Sequence, residues 1–517
     1  MSRARRREWD APALGLVAFT LAVTLSRFIA PAFAELPRLA SVEALEAVVR
    51  AVANRGASEL WSPSARAAYA SFGGEETLLR LLAAWSRLSV GRLGLLDPLT
   101  SARLPWIALA ALGPALVVVA ARRSLGRAPA LLAGVLLLVT PRWLHAASMG
   151  ADSAALASAW WLVIAACLRS LSGRPRFASV ALALGAALSV SLAALWVVPL
   201  VVAHHLFARR ELSRRLARRG RQPWPAPLVG ALALAPVFVY GLNPALWGAK
   251  PLELVAWVLA PLAPERAPTL YAGKLVGESV PLGFGPLWLT LSLPAVLLAG
   301  ALLGLVVFAH RTLARRYALG ALRPPPDRTA LGGLVALGLA ATALGPALAP
   351  EPLVVLPPRI ELALPFVAIA AAAGLERASV SLLGPARWRF GAAGVAGVLL
   401  ALTLRAPRTA SASFDALTGG ARAVVLHSWL PAGDGSELGV LAPTLDRLPE
   451  DEVTLSADSV PAALWDALTR AGRLRLRVRV VPSGGALVLS RGAARDGDPL
   501  ATVTRDGATL WTLSRRR

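Results

Sequence analysis

Residues 104–127 read LPWIALAALGPALVVVAARRSLGR, an uncharged stretch up to Ala121 followed at once by Arg122, Arg123 and Arg127. About 18 apolar residues in a row are enough to cross the hydrocarbon of a bilayer, and loops rich in Lys and Arg stay on the cytoplasmic side. The same pairing of an apolar run with an arginine cluster recurs from the N-terminus to about residue 405. The pattern is that of a polytopic membrane protein.

Outward from this stretch, Arg3, Arg5, Arg6 and Arg7 hold the N-terminus inside, and the first span covers about 11–30. Ala32-Phe33-Ala34 also fits a small-x-small cleavage site, so a signal peptide is the alternative to an uncleaved first helix, but the apolar part is long enough to span. A long outside loop, about 31–103, contains two stretches with helical apolar spacing, Val42 to Val52 and Glu75 to Leu88, which read as surface helices. The second span returns at 104–121 and the third exits at 128–141, followed by a short outside turn from Pro141 to Asp152. A fourth span ends at Arg169, Arg174 and Arg176, and a close pair fills 177–207. The densest basic stretch, Arg209 to Arg221, then falls inside as a stop signal, with anionic lipid contact as its other reading. The seventh span ends near Tyr240, an outside segment runs to Gly285, and four further spans end near residues 309, 349, 376 and 405.

The expectation is therefore an all-α polytopic bundle of about eleven transmembrane helices, residues 1–408, lying in the cytoplasmic (inner) membrane. From about 409 charged residues rise and β-rich runs appear: Leu474 to Val481, Ala486 to Ser490, and a hairpin formed by Ala501 to Thr504 and Thr509 to Leu513 around Arg505-Asp506-Gly507. Ser459 to Ala471 has helical spacing. Residues 409–517 are thus expected to form a small α/β domain, which an odd span count places outside the cytoplasm.

Composition narrows the function. The chain has 517 residues, is 56% hydrophobic and carries a net charge of +24. Because the basic residues sit at the ends of apolar segments, they orient the protein rather than form a nucleic-acid surface. One cysteine, Cys167, allows no intramolecular disulfide, and His204 and His205 with three other histidines give no zinc pattern. No phosphate-binding Gly-rich Lys-Ser/Thr loop occurs, and no metal or cofactor is expected.

The candidate site residues are polar groups at the outer ends of spans, where proximity to hydrocarbon is costly unless the group is paired or used. They are Glu35; Arg142, His145 and Asp152; Lys250, Arg266, Lys274 and Glu278; and Arg359 and Glu361. Carboxylates and cations gathered on one side suit group transfer from a lipid phosphate, with a carboxylate as general base and Arg or Lys on the phosphate. Each has a plainer reading: a loop carboxylate for Glu35, a helix N-cap for Asp152, interfacial side chains for His145 and for Arg142 with Trp143, head-group contacts for Lys274 and Arg359, and a surface-helix start for Glu75 and Glu76. A transporter would show charged sites at mid-membrane and two related halves, and neither is visible.

The order of parts resembles the integral-membrane glycosyltransferases of the C-type (GT-C) fold, the protein O-mannosyltransferase and aminoarabinose transferase relatives (family 39-like). The likeness is carried by Leu138-Val139-Thr140-Pro141 through Asp152-Ser153-Ala154-Ala155, by Asn243-Pro244-Ala245-Leu246-Trp247, Tyr271-Ala272-Gly273-Lys274 and Pro286-Leu287-Trp288, and by Arg359 with Leu364-Pro365-Phe366-Val367-Ala368. The resemblance implies a polyprenyl-phosphate-linked sugar donor, membrane lipid surroundings, and an acceptor whose identity it leaves open. It also implies a catalytic pair, with Glu35 as the base and Asp152 orienting acceptor or donor, and Lys274 and Arg359 as contacts to the donor phosphate. The family's acidic pair after the first span is here Ala34-Glu35, so a catalytically silent scaffold is the rival expectation.

Overall fold

The structure is a computed structural model that describes residues 9–32, 35–72, 76–172, 177–217, 226–247, 250, 252–253, 269–271, 274–276, 281–317, 326–348, 360–405, 436–457, 460–481, 483–491, 497–505 and 508–516. Among these, four helices are long and apolar enough to cross a membrane. They fall within α5 (Pro98–Leu125), α8 (Asp152–Ser172), α13 (Ala295–Tyr317) and α15 (Leu364–Leu383). A fifth span is possible if α6 (Arg127–Val139) and α7 (Pro141–Ser148) count as one, although they are bent by 64°. Shorter apolar helices occupy the other expected places: α1 (Asp10–Ser26), α9 (Phe177–Val190), α10 (Val197–Ala217), α11 (Ala226–Leu242), α14 (Pro326–Leu348) and α16 (Trp388–Arg405). Among the described residues, length and apolarity alone single out four or five crossings.

Two local signals explain where helices begin and break. Asp97 caps α5 by accepting the Thr100 N–H at 3.0 Å, with Pro98 at the first helical position. The second span accordingly starts six residues before its expected position and takes in Arg103. At Thr140, the residue before Pro141, the backbone is extended (φ −68°, ψ 123°), as proline disfavours helical geometry in its predecessor. The expected outside turn after Pro141 is instead the helix α7, all eight residues of which are buried. Arg142 and Trp143, expected as an interfacial anchor, are therefore inside; Trp143 packs on Gly113 of α5.

The helices pack through small residues. Any Cβ at Gly304 would lie 1.9 Å from the Ala370 carbonyl oxygen, and one at Gly374 would lie 2.1 Å from that of Gly300. Helices α13 and α15 therefore touch backbone to backbone, the close approach that small residues permit in apolar surroundings. Trp161 of α8 meets Phe366 of α15 at 5.0 Å between ring centroids. Large apolar side chains such as Val237, Val306 and Phe390 face outward, as hydrocarbon surroundings allow.

The long loop folds into α2 (Leu36–Arg55), α3 (Pro63–Ala70) and α4 (Thr77–Ser86); α2 contains the stretch Val42 to Val52, and α4 covers residues 77–86 of the second stretch. Its Trp61 stacks on Trp247 at 4.9 Å. A short hairpin pairs β1 (Thr269–Tyr271) with β2 (Lys274–Val276), and α12 (Phe284–Ser292) precedes α13.

The C-terminal part is a five-stranded sheet in the order β4-β3-β5-β7-β6, with strands β3 (Glu452–Ala457), β4 (Arg477–Val481), β5 (Leu487–Arg491), β6 (Asp498–Arg505) and β7 (Ala508–Arg515). Strand β3 runs parallel to both neighbours, and the rest is antiparallel. Helix α17 (Ala442–Leu445) precedes the sheet and α18 (Ala462–Arg470) joins β3 to β4. Strand β3 was not anticipated. Its apolar core includes Leu455, Trp465 and Leu489 and extends onto Ala30 and Leu36, so the sheet is docked on the segment after α1.

Replacing Gly304 or Gly374 by Leu is expected to force α13 from α15 and to cost at least the roughly 1–3 kcal/mol typical of overpacking. Thermal unfolding of the detergent-solubilised protein, compared with Gly394→Leu, where nothing lies within 4 Å of the added Cβ, measures the difference.

Candidate functional site

Helix α1 marks the two ends of the bundle. At its first residue Asp10 accepts a two-pronged pair from Arg127, at 2.5 and 2.7 Å. Its last turn leaves carbonyls without intrahelical partners, and such ends attract cations. Two guanidiniums answer them: Arg103 donates to the carbonyls of Ser26, Ile29 and Ala30 at 3.2, 2.8 and 3.0 Å, and Arg473 donates to those of Ile29 and Ser26 at 2.7 and 3.0 Å. Seventeen residues at 1.5 Å per residue separate these ends by roughly 25 Å.

Two carboxylates neutralise the guanidiniums. Arg103, 1% exposed, grips Glu35 with both fork positions at 2.8 Å. Glu35 also accepts from the Ala32 N–H at 3.4 Å and faces Arg38 at 3.5 Å. Burial pushes the Glu35 carboxyl up, but Arg103, through its charge and hydrogen bonds, and Arg38 outweigh it and hold it below its ordinary value. Asp97 binds Arg473 at 3.0 Å and accepts the Thr100 hydroxyl at 2.6 Å; burial again opposes, and Arg473 and Thr100 again lower its pKa. The expected base is therefore closed in by two arginines.

Arg38 carries the cluster to Asp152. Its guanidinium lies 4.3 Å from the Trp106 ring centroid and donates to the carbonyls of Gly150 and Met149 at 2.6 and 3.5 Å. Gly150 has φ +61°, and a Cβ there would come within 3.1 Å of the Arg103 carbonyl oxygen and of the Trp106 Cβ. Only glycine meets both conditions. The turn so fixed delivers Asp152 as the first residue of α8, exposed, two positions beyond Gly150. Glu35 and Asp152 thus flank one connected set of contacts.

A second buried group lies beside Asp152. Glu361, in a 3₁₀ turn (Ile360–Leu362), is buried, and its pKa is raised chiefly by that burial and also by Asp152, while Arg142 and the Ser153 hydroxyl oppose the rise. The buried guanidinium of Arg142 sits 5.1 Å from the Trp288 ring centroid. His145, expected at an interface, is buried and its Nε2 is 3.3 Å from the Ser436 hydroxyl of the C-terminal part.

Of the residues expected on the donor phosphate, Lys274 falls in β2, paired in backbone register with Tyr271, with its side chain outside the described residues. Arg359 lies outside the described residues, as do Ala34, Glu75, Arg266 and Glu278; Lys250 is exposed. Sequence reasoning missed Arg38, Arg103, Asp97 and Arg473. Arg103 could have been found as a lone arginine among apolar residues, which demands a partner, and Asp97 from its place before Pro98. Arg473 bears no such signal.

No family model and no curated protein matches the chain. Among solved structures it is similar to ArnT from Cupriavidus metallidurans bound to undecaprenyl phosphate, with a TM-score of 0.45, 16% identity and 96% of each chain covered. It is also similar to the Archaeoglobus fulgidus oligosaccharyltransferase in the apo form, with a TM-score of 0.43, 13% identity, 86% of this chain and 59% of that one. These neighbours, an aminoarabinose transferase and an oligosaccharyltransferase, are glycosyltransferases of the GT-C fold. Likeness at this level transfers no chemistry.

Two stability predictions follow from the opposed carboxylates. Glu35→Gln leaves the buried Arg103 without the carboxylate that grips it and is expected to cost about 3–5 kcal/mol, as for other broken buried pairs. Because Glu35 and Asp97 titrate lower when folded, their contribution is full above about pH 4.5 and is lost as pH falls through their depressed native values. Glu361 has the opposite sign: its folded form prefers the proton, so its contribution declines as pH rises through its raised native value. Glu361→Gln is therefore expected to be neutral or stabilising at pH 8. Melting temperatures of the variants between pH 3.5 and 8 check both statements.

Proposed function

We propose that the chain is an integral-membrane glycosyltransferase that moves one sugar from a polyprenyl-phosphate donor to an acceptor hydroxyl on the extracytoplasmic side. In this reading all eleven apolar helices cross the bilayer, residues 1–408 form the transferase and 409–517 an outside domain. The observation that supports it most is an exposed carboxylate, Asp152, beside the buried Arg142–Glu361–Trp288 group at the end of the bundle opposite the Asp10–Arg127 pair.

The chemistry assigned to the site balances without a metal. The acceptor oxygen attacks the anomeric carbon, the bond from that carbon to the phosphate oxygen breaks, and polyprenyl phosphate leaves with the electron pair. Asp152 takes the acceptor proton, a role that needs a carboxylate open to substrate. Lys274 and Arg359 are assigned to the phosphate, with Arg142, whose charge acts on Glu361, as a further cation. Glu35, whose oxygens are engaged by Arg103 and Arg38, is assigned to positioning the turn that carries Asp152 rather than to proton transfer.

One observation favours a second reading. The carboxylate next to the first span is closed in, which suits a silent relative whose C-terminal sheet serves as a docking module.

Incubating the purified protein with a panel of polyprenyl-phosphate sugars separates the two, since only the transferase releases lipid phosphate. Asp152→Asn is expected to lower turnover about 10²–10⁴-fold, the range of a general base, with unfolding temperature unchanged. Lys274→Ala is expected to raise KM for the donor. Undiminished release in both Asp152→Asn and Glu35→Gln sinks the assignment of roles, and no release by the wild type from any donor sinks the transferase reading.

A further inference from the structure

At the other end of the bundle, the end marked by the Asp10–Arg127 pair, α6 and α16 enclose an open groove of about 780 Å³. Two helical faces with matching spacing make it. Ala128, Leu131, Leu132 and Val135 of α6 recur at i, i+3, i+4 and i+7, and Arg389, Ala392, Ala393 and Ala396 of α16 do the same. Three alanines opposite leucine and valine leave the space unfilled. The volume lies within the roughly 300–1,000 Å³ of small-molecule sites.

The polar end of the groove is cationic. Arg127 and Arg389 line it, and Arg389 is exposed with no side-chain hydrogen bond or ion pair among the described residues. Arg122 lies close enough for its charge to act on Asp10, and Arg387 precedes the lining residue Trp388. Asp10 offsets one of these charges, through Arg127. An apolar trough ending in surplus guanidiniums complements a molecule with a hydrocarbon tail and an anionic phosphate head.

We infer that this groove is a binding site for one anionic phospholipid, its phosphate on Arg389 and Arg127 and an acyl chain along the alanine face of α16. The site is roughly 25 Å from the Asp152 region, by the length of α1, and is independent of sugar transfer.

The test is native mass spectrometry of the full chain from micelles containing phosphatidylglycerol or phosphatidylcholine. Wild type is expected to retain one phosphatidylglycerol through an activation energy that strips phosphatidylcholine. Arg389→Ala lowers phosphatidylglycerol retention about fivefold, the effect of roughly 1 kcal/mol per surface cation, and Arg389→Lys preserves most of it. Ala396→Phe fills the trough and abolishes the difference between the two lipids. Equal retention of both lipids by the wild type overturns the proposal, and this arm stands even if a variant fails to fold. So does unchanged retention by a folded Arg389→Ala, or a lipid-free dimer that Ala396→Phe converts to monomer, which would make the groove a contact between copies.

Discussion

A guanidinium at 1% exposure inside an apolar helix has to find charge and hydrogen bonds within the protein, because the surroundings offer none. Arg103 of α5 does so by taking both oxygens of Glu35 and the carbonyls that end α1. That one requirement fixes the relative placement of α1, α5 and the start of α2. It also explains why Glu35 remains ionised despite its burial. Since leaving either partner alone is far costlier than keeping the pair, the cluster acts as a geometric pin whatever its net stabilisation.

The pin extends in two directions. Through Arg38 it sets the Met149–Gly150 turn and therefore the position of Asp152. Through the shared carbonyls of Ser26 and Ile29 it reaches Arg473, which lies between α18 and β4, and Asp97. The C-terminal sheet is thus held to the helices by polar contacts as well as by the apolar seam at Ala30 and Leu36, and His145–Ser436 adds a further tie. A sheet held so firmly at the end of α1 leaves little freedom to the turn carrying Asp152.

Much of the helix order was legible from the alternation of apolar runs and arginine clusters, because crossing hydrocarbon imposes a length and a polarity that composition alone reveals. The hairpin β6–β7 was legible from its turn residues. What was not legible depended on partners distant in sequence. The span count makes the buried helix α7 an outside turn, with Arg142 and His145 as interfacial side chains; Trp288 and Ser436, which accommodate them, lie far along the chain. Glu35 reads as an open acid because Arg103 falls at the end of the expected loop, one residue before the expected span, whereas the helix takes it in. Strand β3 escaped since a six-residue strand of mixed polarity carries little periodicity of its own.

Glu35 and Glu361 are both buried carboxylates, yet their pKa values move in opposite directions. Desolvation is the largest influence on each, so the sign is decided by the cations that answer it. Glu35 has the fork of Arg103 and the charge of Arg38, enough to reverse the penalty. Glu361 has the charge of Arg142 and the hydroxyl of Ser153, and Asp152 adds a second negative charge nearby, so the penalty stands. Carboxyl groups whose environments drive them apart are suited to different work, one as a fixed anion and the other as a proton-holding neighbour. Asp152, exposed beside Glu361, is then the carboxylate left facing outward.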